Sequence, residues 1–249
     1  MPRDCDEERF LGYTSRCRQP RKVGRAFAKK RENRVAHERE IKLKIEDAKA
    51  FRRLLKKIGA QPTLAGRGRV REENVLFDTP QGGLAKHGQL LRIRTETLDG
   101  RGKPRKQRPR PRVLLTFKKP VARPAASDGK RFADGLHKLR EELEMEITNA
   151  ATLATIFEGL GLAGWFRYEK YRTTFRLPAS KVWARGLLIE LDETPIGTYV
   201  ELEGPADAID RAARELGYSK RDYIVKTYVA LYLEECRRKG VEPVHMLFS

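Results

Sequence analysis

Residues 37–45 read HEREIKLKI. Glu38, Glu40, Lys42 and Lys44 alternate with Arg39, Ile41, Leu43 and Ile45. A period of two is the spacing of a β-strand, whose side chains point to opposite faces in turn. One face of this strand is therefore ionic, with both signs of charge, and the other is largely apolar. Which way the ionic face points decides the fold.

The same alternation recurs along the chain. LLRIRTE sets Arg92, Arg94 and Glu96 against Leu91 and Ile93. VLLTFKK sets Lys118 against Val113, Leu115 and Phe117. LREELEMEI sets Arg140, Glu142, Glu144 and Glu146 against Leu139, Leu143, Met145 and Ile147, although its composition also suits a helix. YEKYRTTF offers Lys170 and Arg172, LLIELDE offers Glu190 and Asp192, and TYVELEG offers Glu201 and Glu203. About eight strands follow, joined mostly by short connections that favour antiparallel pairing.

Helices fall between them. Asp47 caps DAKAFRRLLKKIG, and Asn149 caps NAATLATIFEGLG. Pro205 opens PADAIDRAARELG. A last long helix is expected over SKRDYIVKTYVALYLEEC, capped by Ser219 with Asp222 three residues on.

Two arrangements satisfy this pattern. An open antiparallel sheet would leave the ionic face in water. A closed barrel would turn it inward, leaving the apolar faces outside as the only surface on which the helices can pack. The ionic faces are almost pure Glu, Asp, Arg and Lys, with little of the Thr, Ser or Gln usual on a solvated sheet, which favours closure. The expected fold is α+β, an eight-stranded antiparallel barrel with a charged tunnel and helices outside.

An empty tunnel of this kind is costly. Two carboxylates ~7 Å apart repel by roughly 2 kcal/mol at an effective dielectric of ~20. A divalent cation removes that repulsion, and oxygen donors suit Mg²⁺ or Mn²⁺. Arginine and lysine on the neighbouring strands suit phosphate oxygens. Acidic groups for metal and basic groups for phosphate in one enclosure describe a site that handles polyphosphate.

The motifs, in their order, resemble those of the CYTH or triphosphate tunnel metalloenzyme superfamily. EREIK fits its E-x-E-x-K signature, and NVLFDTPQGGLAKHGQLLRIR its strand, FDTP turn and L-R-x-R strand. LTFKKP, REELEMEI, EKYRTTF, LIELDETPIGTYVELEG and VKTYVALYL resemble the later motifs. The likeness covers about residues 37–235.

It implies that Glu38, Glu40, Glu201 and Glu203 hold divalent metal, with Asp192 supporting the metal or its water. Lys42, Arg92, Arg94, Lys118 and Arg172 would grip a triphosphate, with Arg140 and Lys170 beside them. Lys226, on the last helix, would sit over the tunnel mouth and help to position or protonate; an ordinary surface lysine is the other reading. Glu144 is the chosen contributor among the acidic groups of its strand. Asp78 of the FDTP turn is read as a turn cap. The four histidines share no motif and are not expected to be ligands, and Trp165 and Phe166 are read as packing residues.

The resemblance implies hydrolysis of a triphosphate, inorganic triphosphate first and thiamine or nucleoside triphosphate next. NVLFDTP resembles the triphosphatase branch more than the cyclase branch. Adenylyl cyclase chemistry is the alternative activity. A polyphosphate- or RNA-binding module with weak turnover is the alternative from another class.

Charge is unevenly spread. The formal net charge is +19. Residues 1–36 carry eleven Lys/Arg against five Asp/Glu, and residues 99–112 seven against one. The first stretch is expected to be a flexible basic tail. Together with the 99–112 loop it suits weak polyanion or RNA contact, or plain solubility. Residues 236–249 are expected to form a C-terminal tail. The sequence shows no secretory signal and no apolar run near 18 residues, so no membrane contact is expected. Three scattered cysteines without metal spacing suit a reducing, cytoplasmic setting. Oligomeric state is left open.

Overall fold

The computed structural model describes residues 36–63, 68–99, 110–121 and 136–249. The basic stretch 1–35 and most of the 99–112 loop lie outside them, so the readings made there concern residues that are not described. Nine strands are found among the described residues: β1 (Ala36–Ile45), β2 (Gln61–Pro62), β3 (Arg69–Asp78), β4 (Leu90–Leu98), β5 (Arg112–Pro120), β6 (Lys138–Ile147), β7 (Ala163–Arg176), β8 (Leu188–Thr194) and β9 (Gly197–Glu203). The helices are α1 (Ala48–Lys57), α2 (Gly83–Lys86), α3 (Ala150–Gly159), α4 (Ala206–Glu215) and α5 (Tyr228–Lys239).

The strands pair in the order β2-β7-β3-β4-β5-β6-β1-β9-β8, and β7 also pairs with β8. That last pairing closes eight strands into an antiparallel barrel. β2 stays outside it, against the end of β7, with Gln61 opposite Arg176.

Register settles which faces point inward, because residues directly opposite in an antiparallel pair share a face. Glu40 faces Glu203, and Lys42 faces Glu201. Glu201 faces Glu190, and Asp192 faces Arg172. Lys170 faces Glu72. Arg94 faces Asn74, and Arg92 faces Thr116. Lys118 faces Glu142, and Glu38 faces Arg140. The ionic faces thus meet one another around the whole barrel.

The apolar faces lie outside and form the core. Ile41, Leu43, Ile189, Leu191, Val200 and Leu202 are fully buried, in one cluster with Phe51 and Leu55 of α1 and Ile209 and Ala213 of α4. Each such side chain contributes about 1.5–3 kcal/mol on burial. α3 covers another part of the barrel, with Phe157 edge-on to Phe77 at 5.1 Å between ring centroids. α5 instead packs Tyr228 and Tyr232 against Leu76, Phe166, Tyr168 and Tyr199, which register places on the lumen face.

The caps at α1 and α3 are as expected. Asp47 accepts from the amides of Lys49 and Ala50, and Asn149 from that of Thr152. The last helix differs from expectation. Ser219 and Asp222 do form a capping box, but on a single 3₁₀ turn, Lys220–Asp222. The backbone then extends, and Ile224 exchanges both amide hydrogen bonds with Lys42 of β1, at 2.8 and 2.9 Å. α5 begins only at Tyr228, behind a Thr227 cap. The stretch that looked helical is drawn into pairing with a strand whose backbone groups need partners.

The C-terminal segment also differs. α5 carries Cys236 and runs on to Lys239. Met246 then bonds to Arg167 and Glu169 of β7 through its backbone, with its side chain fully buried. Residues 236–249 therefore pack on the barrel instead of trailing from it.

Candidate active site: an ionic lumen

The lumen is a network of ion pairs held by strands that also carry the core, so each ionic side chain is aimed by apolar neighbours one residue away. Lys42 Nζ sits 3.0 Å from Glu40 Oε1 and 3.1 Å from Glu201 Oε1. Lys138 Nζ reaches the same Glu40 oxygen at 2.5 Å. Lys118 Nζ bonds to Glu38 Oε2 at 2.5 Å and lies 3.4 Å from Glu142.

Across the barrel, Arg172 donates to both oxygens of Asp192, at 2.7 and 2.6 Å. It also contacts Glu201 and Glu190. Lys170 donates to Asp192 Oδ2 at 2.8 Å. The Tyr228 hydroxyl donates to the same oxygen at 2.7 Å. Arg92 donates to the Tyr168 hydroxyl and to Thr116 Oγ1, both at 3.1 Å, while its buried Nε has no partner among the described residues. Arg94 is held by Asn74 Oδ1 at 3.1 Å and by Glu72 at 3.3 Å.

A cavity of about 70 Å³ runs through this network. Its walls carry Lys42, Arg92, Arg94, Lys118, Lys138, Lys170 and Arg172 alongside Glu38, Glu40 and Glu201. A larger cavity of about 220 Å³ adjoins it, sharing Leu76, Leu90, Thr227 and Val229, with Trp165, Gln89 and Arg140 on its far walls.

The lumen carboxylates fall into two groups. Burial pushes Glu40 up, but Lys42 beside it carries the net shift well below the ordinary range. Glu201 follows the same pattern, with Lys42 and then Arg172 overriding burial. Glu72 is brought down to about 2, where Arg94, Lys170 and Arg172 outweigh its burial. Glu190 and Glu203 go the other way. Burial and then the neighbouring carboxylates push Glu190 up to about 7, although Arg172 opposes the shift. Burial, then Glu190 and Glu38, push Glu203 up to about 8.

Among the described residues, no three of His, Cys, Asp and Glu converge as a ready ligand set for a metal ion. The donor chemistry nonetheless suits a hard divalent cation. Glu38, Glu190 and Glu203 are near enough to raise the Glu203 pKa by mutual repulsion, and Glu203 has no ion-pair partner among the described residues. Glu38 pairs with Lys118 and Glu190 with Arg172, so Glu203 supplies the unpaired carboxyl oxygen of the kind Mg²⁺ or Mn²⁺ takes.

The CYTH domain profile matches residues 36–228. The chain belongs to the CYTH domain family. Solved structures share the CYTH fold at low sequence identity. A putative adenylate cyclase from Vibrio parahaemolyticus is 18% identical, with a TM-score of 0.56 over 78% of this chain and 96% of that one. A protein from Pyrococcus horikoshii OT3 is 20% identical, with a TM-score of 0.57 over 80% of this chain and 98% of that one. A conserved hypothetical protein from Pyrococcus furiosus is 22% identical, with a TM-score of 0.55 over 78% and 99%. No functionally curated protein sequence matches the chain.

Within this CYTH barrel, most of the residues singled out in the sequence gather in the lumen: Glu38, Glu40, Lys42, Arg92, Arg94, Lys118, Lys170, Arg172, Asp192, Glu201 and Glu203. Glu144 shares the lumen face but is part-exposed, and its carboxylate accepts from Thr116 at 2.9 Å. Arg140 is turned to the rim, where it donates to the Gly88 carbonyl at 2.5 Å and lines the larger cavity.

Lys226 is not brought to the lumen. Its side chain is 53% exposed, and its ammonium pairs with Glu234 at 2.6 Å. With α5 starting two residues later, Lys226 lies on the extended segment with its side chain outward, and Tyr228 faces inward in its place. Asp78 is a cap, accepting from the amides of Thr79, Leu84 and Ala85. Phe166 is buried in packing, but Trp165 is 45% exposed and lines the larger cavity.

Sequence reasoning missed Glu72, Asn74, Thr116, Lys138, Tyr168 and Tyr228, and left Glu190 without a role. Period two alone places Glu72 and Asn74 on the face of Leu76, and Lys138 on that of Arg140. Tyr228 had no such signal, because its place depends on where α5 starts.

Proposed function

We propose that the protein is a divalent-metal-dependent triphosphatase, acting on a triphosphate chain drawn into the lumen. One observation carries this reading. Seven cationic side chains line a single small cavity beside a carboxylate wall, and the buried Nε of Arg92 lacks an acceptor. An anion with several oxygens satisfies both. Arg92, Lys42 and Lys118 bind and orient the phosphates, while Arg172 and Lys170 hold the facing wall in register. Glu38, Glu203, Glu40 and Glu201 are the residues that would hold the metal, with Glu190 beside them. A bound divalent cation there supplies neutralisation of phosphate charge and a more acidic water.

In hydrolysis, the oxygen of water bonds to the terminal phosphorus, and the bridging P–O bond breaks with its electron pair leaving on the pyrophosphate. The water proton passes to bulk. Inorganic triphosphate is the minimal substrate, since phosphate oxygens alone can meet the cations of the lumen wall. The adjoining cavity favours a second reading, in which the triphosphate carries an organic group such as a nucleoside or thiamine.

The test is phosphate release from a panel of triphosphates with Mg²⁺ or Mn²⁺. Hydrolysis that needs the cation and drops at least ~100-fold in Arg92→Ala and Glu38→Ala supports the reading. Cyclic AMP and pyrophosphate from ATP would assign cyclase chemistry instead. Steeply salt-dependent RNA or polyphosphate binding without turnover would assign the binding module.

A further inference from the structure

Asp192, which the family resemblance gives as a metal-supporting carboxylate, is held by four donors. Oδ1 accepts from Arg172 Nε at 2.7 Å. Oδ2 accepts from Arg172 Nη2 at 2.6 Å, Lys170 Nζ at 2.8 Å and the Tyr228 hydroxyl at 2.7 Å. The residue is fully buried. A carboxylate oxygen with three short donors is saturated.

Tyr228 contributes more than that hydroxyl. Lys42 Nζ lies 5.3 Å from its ring centroid and Lys170 Nζ 5.1 Å, so two ammonium groups of the lumen rest against one aromatic ring. Tyr199 packs edge-on at 5.7 Å and Tyr168 at 6.5 Å, which fixes the ring plane. The residue stands at the first position of α5. The segment before that helix is tied to β1 at Lys42 itself, through the Ile224 backbone pair.

We propose that Tyr228 is a positioning residue, which together with Asp192 forms a scaffold that places Lys42, Lys170 and Arg172 for phosphate binding. The Asp192–Tyr228 half of this stands on geometry alone. The consequence for substrate rests on the triphosphate reading above.

The experiment is a double-mutant cycle with Tyr228→Phe, Asp192→Asn and the pair, read both by thermal unfolding and by triphosphate kinetics. Tyr228→Phe keeps the ring and removes only the hydroxyl. The expected result is that it raises KM for inorganic triphosphate about 5- to 10-fold with a much smaller change in kcat. Its effect should largely vanish in the Asp192→Asn background, and the Mg²⁺ concentration giving half-maximal activity should stay that of the parent.

Full additivity in unfolding overturns the scaffold. Coupling in unfolding with parental KM overturns the positioning role. A several-fold rise in the Mg²⁺ requirement of Tyr228→Phe with parental KM shows the hydroxyl acting on the metal side and not on the cationic groups, and also overturns the proposal. If Asp192→Asn does not fold, the KM and Mg²⁺ readings of Tyr228→Phe decide alone. If the parent hydrolyses no triphosphate, the proposed function fails, and the unfolding cycle still decides whether the scaffold exists.

Discussion

Glu201 and Glu203 stand two positions apart on β9, share the lumen face, and titrate in opposite directions. Glu201 meets Lys42 and Arg172; Glu203 meets Glu190 and Glu38. A pH prediction follows for the metal-free protein. The ordinary carboxyl of Glu203 titrates at 4.5, and the folded one at about 8. Between those values the folded state holds a proton that the unfolded chain has lost, so stability falls as pH rises through that window. Glu190 adds the same sign between 4.5 and about 7. Thermal unfolding should therefore drop by roughly 5–10 °C between pH 5 and pH 8. Glu203→Gln should flatten that slope, and Mg²⁺ should stabilise more at pH 8 than at pH 5. Glu40, Glu72 and Glu201, with lowered pKa values, contribute stability that is full above about 4.5 and is lost progressively as pH falls from there toward their folded values.

Arg172 tests the same network from the cationic side. Arg172→Met removes a buried cation shared by Asp192, Glu190 and Glu201, and an expected loss of about 3–5 kcal/mol in urea unfolding checks it. Parity made most of these residues legible in the sequence. It did not reveal which carboxylates are neutralised and which repel, because that depends on pairing across strands.

At the scale of elements, strands were easier to read than the chain's last quarter. Alternation in β1, β4, β8 and β9 marks both faces, since a shift of one residue would bury charge against α1, α3 and α4. Even β6, whose composition suits a helix, is committed by its pairing with β1 and β5. The start of α5 was not legible. The capping box at Ser219 and Asp222 is a real local signal, but the Ile224–Lys42 backbone pair overrides it.

The C-terminal segment was misread for a related reason. Past α5 its deeply buried anchor, Met246, sits among mostly exposed residues with no period. Met246→Ala should cost about 2–5 kcal/mol by denaturant unfolding, because the side chain is fully enclosed by the β7–α5 cluster. Truncation after Lys239 should lower unfolding temperature further, since it also removes the backbone bonds to Arg167 and Glu169.

For the whole barrel, the usual order is inverted: charge fills the inside and the apolar core surrounds it. Folding is driven by the outer shell, where Ile41, Leu43, Leu191 and Leu202 meet the helices. The lumen network is what that shell holds in place. Closure could be argued from the sequence because helices need an apolar surface and only one face of each strand offers it. The larger cavity beside the lumen was not legible, since Trp165, Gln89 and Val229 come from three unrelated segments.

The claim that the lumen is a triphosphate and metal site is tested most directly by crystallography of the protein soaked with inorganic triphosphate and Mn²⁺, using the anomalous signal of manganese. The account predicts a phosphate chain against Lys42, Arg92 and Lys118, with manganese on the Glu38 and Glu203 wall. Manganese and triphosphate bound only outside the barrel, with the Lys42–Glu40–Glu201 ion pairs undisturbed, would contradict it.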